Sequence, residues 1–124
     1  MITNLRDCYI LLGGDYDDVM SRLPREQLVQ KFIFKFLDEK SYEELERALA
    51  EEDYETAFRA AHTMKGNCQN LSFTQLSESS SQLTEALRME NYVSAAQLMP
   101  KLSEDYLQTT GAIREYKQFL EGSV

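Results

Sequence analysis

The sequence predicts an all-α fold, an up-and-down antiparallel four-helix bundle with additional short helices at its N-terminus. Three observations carry that reading. Apolar residues recur at spacings of three and four along most of the chain. Capping residues stand at the start of several of these stripes. The breaks between stripes are only a few residues long, which folds each helix back against the one before it. The 124 residues amount to a single domain over 1–124, with a bundle core over about 25–120.

Leu5 to Leu12 forms a first short helical segment, stopped by Gly13 and Gly14, residues that favour a helix end. Asp15 to Leu23 is a second, closed by Pro24. Beyond the proline, Leu28, Val29, Phe32, Ile33, Phe36 and Leu37 make one apolar stripe. Ser41 to Glu44 and Ser72 to Gln75 fit capping boxes, in which the Ser and the Glu or Gln satisfy free backbone N–H groups. Asp53 is placed to cap a helix running to about Asn70, and the Ser72 helix carries Leu76, Leu83 and Leu87. Asn91 caps a segment from Tyr92 to Met99. Pro100 either kinks that segment or opens a last helix ending near Leu120.

Composition excludes several classes of function. Thirteen basic against 21 acidic residues give a formal net charge of −8, the wrong sign for non-specific nucleic-acid binding. Apolar runs are short and broken by charge, so no membrane span is expected. The N-terminal segment lacks the basic start and apolar run of a secretory signal, and a cytoplasmic protein is the simplest reading. Its start at Met1 points to a freestanding protein, and one core accounting for the apolar stripes points to a monomer. Cys8 and Cys68 match no metal or redox spacing and read as packed thiols.

The chain has one histidine, so its placement can be asked sharply. Tyr54, Ala57, Ala61, Met64, Cys68 and Leu71 form the inward seam of the helix that carries it. At roughly 100° per residue, His62 falls about 130° from the centre of that seam. The imidazole is therefore expected at the surface, with Phe58, Lys65, Gly66 and Gln69 around it. Taken singly, Phe58 reads as boundary packing, Lys65 as a solvated charge and Gly66 as a helix–helix contact. Glycine inside a helix costs about 1 kcal/mol relative to alanine, which calls for a reason. Beside an exposed imidazole, a missing side chain gives an approaching protein room. A neutral imidazole nitrogen attacks an acyl phosphate directly, without a general base, because the attacking atom carries no proton. A cation at Lys65 would stabilise the charge spread over the transferred oxygens.

The stretch from Ala60 to Leu71, with His62, Lys65, Gly66 and Leu71 in order, resembles the signature of the histidine-containing phosphotransfer (HPt) family, a helix with His-x-x-Lys-Gly. The likeness extends more loosely over about 10–115. It implies a four-helix bundle in which His62 is phosphorylated, Lys65 is its positive neighbour and Gly66 gives the partner room. It also implies a phosphocarrier without ATP-dependent kinase activity or a cofactor of its own. The phosphoryl group would pass between aspartates of receiver domains, in response regulators or hybrid histidine kinases, whose Mg²⁺ completes the site. Phe58, Arg59, Gly66 and Gln69 fall on the expected partner surface, and Thr84 and Arg88 of the facing helix are expected to surround the phosphohistidine. Ser72 departs from the pattern, standing where the family usually has glycine.

Two other readings use the same residues. A docking or inhibitory module would bind a receiver or kinase through Phe58 and its neighbours without accepting phosphate. A metal site would need His62 and Cys68 to converge, and the helical arithmetic sets them apart. An independent enzyme would need a phosphate loop or nucleophile pair, and Gly13-Gly14 alone reads as a helix break.

Overall fold

A computed structural model describes residues 1–122. They form α1 (Leu5–Leu12), α2 (Tyr16–Arg22), α3 (Glu26–Phe36), α4 (Ser41–Ala50), α5 (Tyr54–Asn70), α6 (Thr74–Arg88) and α7 (Tyr92–Gly122). No strand occurs among the described residues. The bundle consists of α4, α5, α6 and α7, each packed on the next, while α1 lies against α7. Among the described residues, no helix is long and apolar enough to cross a membrane.

The caps written in the sequence form where a short polar side chain precedes a helix. Asn4 accepts from the Asp7 N–H, Asp15 from the Asp18 N–H and Asp53 from the Thr56 N–H. Asn91 accepts from Ser94 N–H at 3.2 Å. Each satisfies one of the donors that a helix leaves free at its start.

The two capping boxes do not form. Ser41 lies inside α4, and its N–H and hydroxyl both donate to the carboxylate of Glu39, two residues earlier. Ser72 precedes the actual cap, Phe73, and sits in left-handed conformation with φ +57°. An N-cap serine takes extended backbone instead, so the turn geometry removes the box.

That turn geometry recurs. Three-residue turns join α4 to α5, α5 to α6 and α6 to α7, and each places its middle residue, Glu52, Ser72 or Glu90, at φ +57°. In each, two backbone N–H groups return to the preceding helix: Glu52 to Leu49 and Asp53 to Ala48, Ser72 to Gln69 and Phe73 to Cys68, Glu90 to Leu87 and Asn91 to Ala86. This is the Schellman arrangement, which satisfies the terminal carbonyls and reverses the chain. One device repeated three times builds the antiparallel bundle.

The core follows the expected stripes. Val29, Ile33, Leu45, Ala57, Ala61, Met64, Cys68, Leu76, Leu83, Leu102 and Ile113 are at most 1% exposed. Phe32 is the exception in its stripe: it faces outward at 37% exposure. Stacked tyrosines close two edges of the bundle, Tyr42 on Tyr106 at 3.9 Å and Tyr54 on Tyr92 at 3.7 Å between ring centroids. Helix α7 runs through the position of Pro100 without a new helix start. The missing N–H leaves the Ala96 carbonyl without its intrahelical donor, on a turn where both residues are exposed and open to solvent.

Candidate functional site

His62 lies in the middle of α5, and its seam neighbours Ala57, Ala61, Met64 and Cys68 turn inward. The imidazole is exposed, as the angular arithmetic required. Cys68 is buried on the seam, so thiol and imidazole point to different sides of the helix. Burial pushes the Cys68 thiol well above the ordinary range, with Glu39 adding to the effect. It is a packed thiol, as is Cys8, which burial pushes up to about 12.

Two features surround the ring. The Phe58 ring lies nearly parallel to the imidazole, 9° between planes and 5.9 Å between centroids. The Arg88 guanidinium, from the last turn of α6, sits over the Phe58 ring at 5.1 Å. Lys65, one turn beyond His62, is half-buried, and neither residue has a hydrogen bond or ion pair among the described residues. Arg59 and Arg88 are occupied on the surface, paired with Glu55 at 3.4 Å and Glu85 at 3.1 Å. Exposed pairs of this kind hold a side chain loosely. Gln69 is exposed two turns on from His62.

A side-chain carbon added at Gly66 meets nothing beyond its own helix backbone within 4 Å. The residue therefore makes no close helix–helix contact, and its effect is to leave the surface beside His62 open. By contrast, a carbon added at Gly14 would lie 2.7 Å from the Ser72 carbonyl oxygen. The Gly13-Gly14 pair is thus more than a helix break: it lets α1 end against the α5–α6 turn.

One expected site residue is misplaced. Thr84 is fully buried, and its hydroxyl donates to the Ser80 carbonyl at 2.7 Å within α6. It shares the inward face of α6 with Ser80, Leu83 and Leu87 and does not reach the His62 surface. The cation from α6 is Arg88, which reaches the site through Phe58.

The site is a surface and not a pocket. A cleft of about 420 Å³ opens lower on α5, lined by Phe32, Phe36, Asn67 and Leu71 among others, and does not include His62. Sequence reasoning missed the ring stack, although an aromatic four residues before a histidine on one helix was its signal. It also missed the polar clamp on Ser72. The Ser72 hydroxyl donates to Asp18 at 2.6 Å, and Arg22 donates to both. Arg22 also donates to the Gln69 carbonyl at 3.2 Å. No local pattern pairs residues so far apart along the chain.

The helical bundle thus presents an exposed imidazole, a neighbouring lysine and an open glycine along one helix. A family model for the Hpt domain matches residues 28–116, and the chain belongs to that family, whose members are histidine phosphotransfer modules of phosphorelays. No curated protein and no solved structure matches the chain. The match begins inside α3, so α1 and α2 lie outside it.

Proposed function

We propose that the chain carries a phosphoryl group on His62 and exchanges it with the aspartate of receiver domains, in response regulators or hybrid histidine kinases. The observation that carries this reading is the open surface over His62, with Lys65 one turn away and nothing beside Gly66. A receiver's active site can descend over the ring without meeting a side chain at position 66. Receiver domains would bring the Mg²⁺, and this chain needs no cofactor of its own. The reading places it in the cytoplasm as a monomeric carrier.

In the accepting direction, the unprotonated ring nitrogen of His62 attacks phosphorus. The N–P bond forms as the bond from phosphorus to the aspartyl oxygen breaks, and the electron pair returns to the carboxylate. The other ring nitrogen keeps its proton. Charge spreads over three phosphoryl oxygens, and the Lys65 ammonium lowers the cost of that charge. Donation to a second receiver runs the same step backwards.

The test is transfer of label from a panel of receiver domains, charged with acetyl phosphate in Mg²⁺, to this chain and to His62→Gln. Acid-labile label on the native chain alone is expected. Label that persists in His62→Gln, or binding of a charged receiver without any transfer, overturns the reading; the second outcome identifies a docking module.

A further inference from the structure

Phosphoryl transfer to an imidazole is directional, because the attacking lone pair lies in the plane of the ring. In-line displacement therefore needs the ring plane, as well as the ring, held along the line from nitrogen to phosphorus. A histidine can be oriented by a hydrogen bond to one ring nitrogen, but His62 has no such bond among the described residues. It has the Phe58 ring instead, near-parallel at 9°. Ring stacking fixes a plane while leaving both nitrogens, at the ring's edge, free to react. Phe58 is itself held from a second helix, by the Arg88 guanidinium over its face. Glu85, one turn earlier on α6, accepts from Arg88 Nε at 3.1 Å.

We infer that Phe58 is a positioning residue for phosphoryl transfer: it sets the plane of the His62 ring, and Arg88 locks Phe58 across the α5–α6 interface. This rests on the phosphotransfer reading and adds a role to a residue otherwise expected only to touch the partner. The two roles separate kinetically. A docking residue changes how tightly the receiver binds; a positioning residue changes the rate once the receiver is bound.

The experiment takes the fastest donor from the receiver panel and compares the native chain with Phe58→Leu and Phe58→Tyr. Dissociation constants are measured with the uncharged receiver, and single-turnover transfer rates at saturating charged receiver. Phe58→Leu is expected to lower the saturated rate about 10-fold, since small misplacements of a reacting group carry costs of that order or more. Its dissociation constant should move less than about 2-fold, and Phe58→Tyr should restore the rate. In the proton NMR spectrum, the His62 ring resonances should lose their ring-current shift in Phe58→Leu and keep it in Phe58→Tyr. A saturated rate unchanged in Phe58→Leu, with binding weakened, overturns the inference and leaves Phe58 a docking residue. Ring resonances that do not move in Phe58→Leu overturn it as well. If the native chain accepts no label from any receiver, it is the phosphotransfer reading that has failed, and the inference falls with it.

Discussion

His62 and Ser72 belong to one helix and the turn that ends it, yet their surroundings differ in kind. Around His62 the polar groups are uncommitted: an imidazole and an ammonium without polar partners among the described residues, beside a glycine with empty space around it. Around Ser72 they are saturated by the chain itself. Its hydroxyl serves Asp18 and Arg22, its carbonyl accepts from the Asp15 N–H at 2.9 Å, and the preceding Leu71 carbonyl accepts from the Tyr9 hydroxyl at 2.8 Å. Next to it, the Gln75 N–H returns to the Gly13 carbonyl at 3.0 Å. The contrast teaches how a small bundle divides its labour. The chain's own long-range polar contacts gather where α1 and α2 meet the turn, and the middle of α5 is left without them.

The sharpest break of that contrast is at Lys65. Lys65→Ala should slow transfer to His62 by roughly 10–100-fold through lost charge stabilisation, with little change in melting temperature. Label appearing at the native rate would remove Lys65 from the chemistry.

Next come the two glycines in open space in helix interiors, Gly66 and Gly111; Gly122, also open, is the last residue of α7. Either changed to Ala should stabilise the fold by about 0.8–1 kcal/mol, the helix-propensity difference. On the proposed function, only Gly66→Ala should also weaken receiver binding or transfer, because the receiver would need the room only there. Denaturant midpoints measure the first effect and label transfer the second. If Gly66→Ala transfers normally, the open surface has no role in the encounter.

The three matching turns allow a finer comparison. Glu52→Gly and Glu90→Gly should each gain about 0.5–1 kcal/mol by relieving left-handed backbone. Ser72→Gly should gain less or nothing, since it gives up the hydroxyl that Asp18 and Arg22 hold. Equal gains at all three turns would show that the clamp contributes no stability.

The smallest effect is one of pH. The Ser72 hydroxyl and then Arg22 lower the Asp18 carboxyl below its ordinary value. A lowered pKa in the folded state means the clamp's contribution is fully present above the ordinary carboxylate range. It is lost as pH falls through the lowered value. Amide shifts around Ser72 should therefore titrate at acid pH, and Asp18→Asn should abolish that titration. A titration that persists in Asp18→Asn assigns it to another carboxylate.

Much of this molecule could be read along the chain because it depends on local spacing. The seam from Ala57 to Cys68 and the exposed His62 follow from helical period, and the caps at Asp53 and Asn91 from side chains beside their own backbone. Gly66 stood out because glycine inside a helix is costly. What failed were patterns with a nearby or distant competitor. Glu39 took Ser41 away from its capping box, and a left-handed turn claimed Ser72. Thr84 was placed one face wrong, because a threonine whose hydroxyl bonds back to the preceding turn is as much at home inside a bundle as outside it.

By itself, then, the sequence determined most of the helices and their inward faces, the family signature and the imidazole at the surface, since each is set by local spacing, while Pro100, Phe32 and Thr84 were left to the packing. Tertiary structure alone decided that Arg88 would reach Phe58, and Phe58 the imidazole plane. It also decided that Asp18 and Arg22 would hold a serine where the turn favours glycine. The physical reason is reach: periodicity fixes which way a side chain faces, but only packing fixes which distant side chain it meets.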